Sequence, residues 1–513
     1  MFAATVEETW RGGEPPEVLP SLDALQDPVS DLSAEYLHYC GVLPMRVEDG
    51  RLLTATWLDE VDYQALDELH IRCGAAPALL RYPEEEVRRA IQRLYAGASA
   101  TAEGVLAGMD LDMDTEPTEL AIDDLVSLAN EAPVVKLVNL LLLEALQARA
   151  SDVHLESYPS GLRVRYRVDG VLQEAPSPSA GLAQAVISRL KIMADLDISE
   201  RRLPQDGRIR LKLQDRAVDV RVSTLPALHG ESVVLRLLDK DRGRIGLEDL
   251  GMSGETLGAF RRIIRRPHGI VLSTGPTGSG KTTTLYAAID HVRTGTEKIL
   301  TVEDPVEYEL DGVPQVGVNE RVGLTFASAL RSLLRQDPDV LLVGEIRDPE
   351  TADIATHAAL TGHLVLSTLH TNDAPSALTR LLDLRVPGYL VASTVEGVVA
   401  QRLVRRVCTS CAERHPPDSD RIRAFGEDVD VDSVAVGAGC DDCRGTGFRG
   451  RTGIYELFEM DDEIRAEVQS QRGTRHLRVL ALKRGMVSLR QDGLRLIREG
   501  VTTPEEVLRI TAE

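Results

Sequence analysis

The chain has 513 residues, with 58 Lys and Arg against 81 Asp and Glu, a net charge of −23. That length predicts three or four domains, and the acidic balance disfavours a protein that wraps nucleic acid. Aromatic residues are only 4% of the chain, too few for a base-stacking platform, so no nucleic-acid partner is expected. No apolar run approaches the length of a membrane span, and the opening MFAATVEETW has neither the basic nor the apolar region of a signal peptide. A cytoplasmic protein is expected, reaching a membrane only by docking to a partner.

Residues 1 to about 30 are rich in Pro and Glu without periodicity, as a loose tail would be. From Val29 the pattern becomes globular. A helix is predicted over Leu32–Leu37, strands over Val42–Val47 and Arg51–Thr56 around the turn Glu48-Asp49-Gly50, and helices near 62–69 and 84–94. This α+β module holds no catalytic constellation, so 1–95 is expected to be a docking domain. Between Leu94 and Val135 there are nine acidic residues and no Lys or Arg, and 96–119 reads as a flexible, self-repelling acidic linker.

Helical stretches follow at Ile122–Ala129 and Val134–Ala148, the second with Val135, Val138, Leu142 and Leu146 on one face. SDVHLE (Ser151–Glu156) leads into Gly161–Gly170, whose alternating apolar and basic residues predict a half-exposed strand. A helix over Ala183–Asp195 and strands over Ile209–Leu213, Ala217–Ser223 and Ser232–Leu238 complete a second N-terminal α+β domain, 120–242. It gathers Arg165, Arg167, Arg202, Arg208 and Arg221. These are either a solvated, salt-bridged face or a set of which some reach a phosphate.

The stretch Gly269–Thr284 carries the sharpest chemistry. A β-branched run, Ile270–Thr274, predicts a buried parallel strand, and Thr283–Ile289 a helix. Between them Gly275, Pro276, Thr277, Gly278, Ser279, Gly280, Lys281 and Thr282 fit G-x-x-x-x-G-K-[ST]. Glycines let successive N–H groups curl around phosphate oxygens, and the helix N-terminus adds partial positive charge. Lys281 is placed to reach the β- and γ-phosphates of ATP or GTP, and the Thr282 hydroxyl to ligate Mg²⁺.

Beyond it the strand–helix alternation continues. Lys298–Val302 predicts a strand ending in Glu303 and Asp304, Thr325–Gln336 a helix, Val340–Asp348 a strand with Glu345 near its end, and His363–Asp373 a strand with a His at each end. In open parallel sheets ligands sit at the carboxyl ends of the strands, so Glu303, Glu345 and His370 are expected to converge on the P-loop. Glu345 is the candidate to polarise the attacking water, Glu303 with Asp304 to position Mg²⁺ through waters, and His363 or His370 to sense the γ-phosphate.

Cys408-Thr409-Ser410-Cys411 and Cys440-Asp441-Asp442-Cys443 are two C-x-x-C pairs separated by 28 residues. Four thiolates on two turns predict a structural Zn²⁺ site in a 401–450 insertion. Cys40 and Cys73 stand alone and read as buried fillers.

Taken together, TGPTGSGKTTTLY, TVEDPVEY, LRSLLRQDPDVLLVGEIRD and TGHLVLSTLHTND resemble the Walker A, Asp box, Walker B and His box of the secretion ATPases of type II secretion and type IV pilus assembly. SDVHLE, RLPQDGR and DVRVST resemble that family's second N-terminal domain, and the tetracysteine its secretion and pilus-assembly branch. The resemblance covers about 120–510 and is closer to the type II secretion members. It implies an α/β, RecA-like P-loop ATPase domain over 243–513 with a tetracysteine zinc insertion, preceded by two smaller α+β domains. It implies a homohexamer on the inner membrane's cytoplasmic face, held by the cytoplasmic domain of a bitopic platform protein and pushing on a polytopic one. In such a ring Arg208 and Arg221 are expected to complete the positive shell around the phosphates, at least one of them across a subunit interface.

Overall fold

A computed structural model describes residues 3–5, 34–48, 50–58, 60–95, 132–213, 216–239, 245–426, 429 and 431–512. The expected acidic linker 96–119, most of the expected tail and the Ile122–Ala129 helix lie outside the described residues. The chain divides into two compact units, 1–209 with 220–237, and 210–219 with 238–513.

In the first unit β1 (Ala3–Thr5) pairs antiparallel with β4 (Glu60–Asp62), so this piece of the expected tail is a strand. β2 (Val42–Glu48), β3 (Arg51–Thr56) and β5 (Ala76–Arg81) form a three-stranded sheet, antiparallel between β2 and β3 and parallel between β3 and β5. Helices Ala34–Cys40, Tyr63–Cys73 and Glu84–Tyr95 supply Leu37, Leu69, Val87 and Ile91 to its core. β5 was not expected, because Pro77 sits inside it; the strand lies at the sheet edge, where a missing N–H is tolerated.

A six-stranded sheet follows in the order β8-β7-β6-β11-β10-β9. Its strands are β6 (Ala150–Tyr158), β7 (Gly161–Val168), β8 (Val171–Glu174), β9 (Gln205–Leu213), β10 (Arg216–Ala227) and β11 (Gly230–Asp239). Helices Ala132–Gln147 and Ala180–Met193 accompany it, and Tyr166 on β7 donates to the Leu141 carbonyl at 3.0 Å. The alternation in Gly161–Val168 does its predicted work: Leu162, Val164 and Tyr166 are buried, while Arg163 and Arg165 reach Glu174 and Glu156.

The second unit is built on a seven-stranded sheet ordered β14-β13-β15-β16-β12-β17-β20. The strands are β12 (Gly269–Thr274), β13 (Ile299–Glu303), β14 (Gln315–Gly317), β15 (Val340–Val343), β16 (Leu364–Leu369), β17 (Val395–Val407) and β20 (Phe448–Glu459). All pairs are parallel except β17 with β20. Strand side chains alternate between faces, and two cores result. Ile270, Leu272, Leu341, Val343 and Val365 enter one, with the helices Phe326–Leu333, Pro349–Leu360 and Ala374–Asp383. Val271, Val340, Leu342, Leu364 and Leu366 enter the other, with the helices Gly254–Ile264 and Lys281–Val292. Cover on both faces explains why these strands read as continuous apolar runs. The predicted Val340–Asp348 strand stops at Val343. The chain turns at Gly344, and Asp348 caps the next helix by accepting from the Thr351 N–H at 2.8 Å. Among the described residues no helix is long and apolar enough to cross a membrane.

Candidate nucleotide site and tetracysteine cluster

Parallel order puts the carboxyl ends of all these strands except β20 on one edge, and the predicted P-loop, Glu303, Glu345 and His370 gather there. The P-loop follows β12, Glu303 ends β13, Glu345 lies two residues past β15, and His370 directly follows β16. His363 does not belong to this edge. It precedes β16 at the amino end, its carbonyl accepting from Gly269 N–H at 3.1 Å and its Nδ1 lying 2.9 Å from the Ala358 carbonyl oxygen. Of the two histidines only His370 can act at the site.

In the P-loop Pro276, Thr277 and Gly278 are exposed at the apex, and Gly275, Ser279 and Lys281 are buried. Gly275 has φ +150, and a Cβ there would stand 2.6 Å from the Gln401 carbonyl oxygen and from Ser279 Oγ. Only glycine permits that approach. Lys281 Nζ donates to the carbonyls of Gly275 at 2.7 Å and Pro276 at 3.1 Å. Burial pulls its pKa down to about 8, with Glu345 opposing the fall and Arg402 adding to it. Ser279 Oγ and Glu345 Oε2 are buried without a hydrogen-bond partner. Unpaired buried polar atoms and a buried ammonium are costly when left so. Together with the exposed glycine loop at a helix N-terminus they fit a nucleotide polyphosphate. Thr282, half-buried in the first helical turn, fits the Mg²⁺ ligand expected of it.

Glu345 Oε1 lies 2.5 Å from Arg347 Nη2, and Oε2 lies 3.4 Å from His370 Nε2. The carboxylate therefore has one oxygen engaged and the other facing an exposed imidazole. Glu303 is set differently. It is 3% exposed, accepts from the Tyr286 hydroxyl, from Thr301 Oγ1 at 2.6 Å and from Gln315 Nε2 at 3.0 Å. Burial, then Glu303 itself, pushes the Tyr286 pKa far up and keeps that phenol a donor. Asp304, beside it, is exposed, so the two carboxylates of this pair play unlike parts: one is held in a buried network, and the other is free to face solvent.

Two residues of this edge were missed from sequence. β17 runs beside β12 with Thr274 opposite Ala400, which delivers Gln401 and Arg402 to the P-loop. Gln401 Nε2 donates to the Ser279 carbonyl at 2.7 Å, and its Oε1 accepts from Ser273 Oγ at 3.2 Å. The signal was a polar pair, Gln-Arg, interrupting an apolar strand.

On the first unit, Arg165 pairs with Glu156 at 2.6 Å, Arg167 approaches Asp152 at 3.8 Å, and Arg202 pairs with Glu200 at 2.9 Å. These three follow the salt-bridged reading. Arg208 is exposed on β9 and Arg221 half-buried on β10.

The four cysteines meet. Cys408 and Cys440 Sγ are 3.9 Å apart, Cys411 and Cys443 3.8 Å, and Cys440 and Cys443 3.7 Å. Metal–sulfur bonds of about 2.3 Å in a tetrahedron put sulfurs roughly 3.8 Å apart, whereas a disulfide needs about 2 Å. The donor set fits Zn²⁺. Backbone N–H groups of Gly439, Cys440 and Gly447 point at the Cys411 and Cys443 sulfurs at 3.1 to 3.3 Å. The second knuckle is closed by Gly437 against Gly447, on either side of Cys440 and Cys443, where either Cβ would meet the other's carbonyl oxygen within 2.4 Å. The 28-residue interval is occupied by β18 (Ala412–His415) pairing antiparallel with β19 (Val434–Gly437), and by the short helix Ser419–Arg423.

Residues 127–509 match the family described as Type II/IV secretion system protein. The chain is 50% identical to the Type II secretion system protein HxcR of Pseudomonas aeruginosa over 449 residues, 86% of this chain and 92% of that one. It is 46% identical to the Type II secretion system protein E of Xanthomonas campestris over 507 residues, 98% of this chain and 87% of that one. The X-ray structure of the Yersinia pseudotuberculosis ATPase DotB shares the fold, with a TM-score of 0.56 at 20% identity over 77% of this chain and 97% of that one.

Proposed function

The chain belongs to the type II/IV secretion system protein family, and from that premise we propose that it is the motor ATPase of a type II secretion system, hydrolysing ATP to drive pseudopilus assembly and protein export. The observation that carries the chemistry is the Glu345 carboxylate, with one oxygen on Arg347 and the other facing His370, on the same sheet edge as the P-loop. Gly275–Gly280 cradle the phosphates, Lys281 leaves its carbonyl partners to meet the β- and γ-oxygens, and Glu345 takes the proton of the attacking water. Thr282, together with the Glu303–Asp304 pair, would hold Mg²⁺, which would supply charge neutralisation to the phosphates. His370 reports the γ-phosphate to Glu345. Cys408, Cys411, Cys440 and Cys443 hold a structural Zn²⁺.

The working particle is a homohexamer on the cytoplasmic face of the inner membrane. Residues 1–95 dock on the cytoplasmic domain of a bitopic platform protein, and a polytopic platform protein receives the motion. Arg208 and Arg221 serve the nucleotide of their own or a neighbouring subunit. Co-purification from membranes tests this directly. The full chain should bring down a type II secretion platform protein, and a chain lacking residues 1–95 should bind ATP yet fail to be recruited. Recovery of a pilus platform protein instead would assign the motor to type IV pilus assembly.

A further inference from the structure

Arg402 stands in an unusual place. Its side chain is 9% exposed, and among the described residues no carboxylate pairs with it; Glu456 and Asp373 act on it only at longer range. A buried cation without a paired anion is costly, so its two contacts need a reason. Nη1 donates to the Gln401 carbonyl at 3.0 Å, and Nη2 to the Asn372 carbonyl at 2.8 Å. The same Nη1 lies 3.1 Å from where a Gly275 Cβ would stand, so the guanidinium packs on the first P-loop glycine.

Asn372 belongs to the loop that leaves β16 just past His370. That loop is tied to β12 from a second side. Thr371 N–H donates to Thr274 Oγ1 at 2.9 Å, and the two hydroxyls are 2.7 Å apart. Beyond it, Asp373 caps the following helix through the Ser376 N–H at 2.8 Å and pairs with Arg478 at 2.8 Å. The loop carrying His370 is thus fixed at three successive residues, and Arg402 is the fixing point that also touches the P-loop.

We propose that Arg402 is a positioning residue of the ATPase site, clamping the loop that carries His370 against the mouth of the P-loop so that His370 and Glu345 keep their hydrolytic geometry. This rests on the ATPase reading of the site given above. Guanidinium is suited to the task because one planar fork reaches carbonyls on two segments at once. A lysine keeps the charge but offers a point donor on a flexible stem. Charge and clamp can therefore be separated by one substitution.

The experiment compares R402K and T371V with the parent in the full chain, measuring affinity for a fluorescent ATP analogue together with kcat and KM. R402K should keep affinity within about 3-fold, which also shows the site folded, while kcat falls by roughly 10- to 100-fold because reacting groups are misplaced. T371V, which loosens the same loop from the other side, should show the same split. The double variant should fall little further than the worse single one, as expected of residues holding one element. Parental kcat in R402K overturns the proposal. So does a loss of affinity as large as the loss of kcat, which would make Arg402 a direct phosphate ligand, or full additivity in the double variant. K281A is the separate control: hydrolysis at the parental rate there removes the underlying site reading itself.

Discussion

The nucleotide site and the tetracysteine cluster lie in one unit but are built on opposite principles. The cysteines come from two local turns, each giving two sulfurs, with N–H donors to them from the residues around the second turn, which the Gly437–Gly447 contact closes. The nucleotide site comes from the ends of β12, β13, β15, β16 and β17, segments up to about 130 residues apart that only strand order brings together. The first should stand or fall as a small folding unit with its metal. The second should be robust to local change and sensitive to whatever holds the sheet edge.

The largest expected effect lies on the local side. Zinc–thiolate binding is worth on the order of 10 kcal/mol of folding free energy, so Cys408→Ser or Cys440→Ser should abolish the single zinc per chain and unfold residues around 405 to 450. Nucleotide affinity should survive. Metal analysis beside a fluorescent-nucleotide titration checks both halves, and a variant that loses zinc and nucleotide together breaks the comparison.

On the other side, the nucleotide site is expected to extend beyond one chain. Arg221→Ala or Arg208→Ala should lower hydrolysis by roughly 10³- to 10⁵-fold, the worth of a cation beside the transferring phosphoryl group, with binding little changed. Mixing Arg221→Ala chains with Lys281→Ala chains should restore part of the rate, because one interface type then regains both groups. Mixed assemblies that form and remain inactive would confine the site to a single subunit.

Within the chain, Glu345→Gln keeps the shape and the Arg347 neighbour but removes the base. Turnover should fall by roughly 10²- to 10⁴-fold with ATP affinity retained, read from initial rates and an equilibrium titration on the same preparation. Parental turnover would hand the role to another group.

How much of this could be read beforehand follows the same division. The P-loop and both C-x-x-C turns are contiguous, so their chemistry is written in adjacent residues. Glu345 and His370 were legible because each follows an apolar run, and parallel strands align such ends. The Val340–Asp348 run misled at its end because Ile346 returns to the core, 4% exposed, after the Gly344 turn, and apolar content alone cannot show that turn. Gln401 and Arg402 were legible only as a polar pair interrupting an apolar strand, not as residues of the P-loop edge. Nothing in VEGVVAQRLVRRV says that it pairs with β12, whose sequence lies well over a hundred residues earlier. The setting of Glu303 was half legible: its place at a strand end was, but the Tyr286 and Gln315 donors around it come from elsewhere in the chain.

The smallest effect tests what joins the two sites. β17 carries Gln401 and Arg402 at the P-loop and ends at Val407, next to Cys408 of the tetracysteine cluster, and Glu506 grips it between them. Glu506, 2% exposed, accepts from Arg405 N–H at 3.2 Å, Arg405 Nη2 at 2.9 Å, Arg509 Nε at 3.0 Å and Arg509 Nη2 at 2.6 Å. Burial alone would raise its pKa, but the hydrogen bonds from Arg509 and Arg405 prevail and hold it down to about 2. A carboxylate whose folded pKa lies below its ordinary value of about 4.3 stabilises the fold above that value and loses the contribution as pH falls through the folded one. Glu506→Gln should therefore cost about 2 to 3 kcal/mol of local stability at pH 7, and the deficit should shrink between about pH 4.5 and pH 2. Hydrogen exchange of the amides of 402–407 in parent and variant measures it, the difference cancelling any acid release of zinc common to both. A deficit that stays constant across that window would mean that Glu506 holds β17 by shape rather than by charge, and that the strand between the two sites needs no ion pair to keep its place.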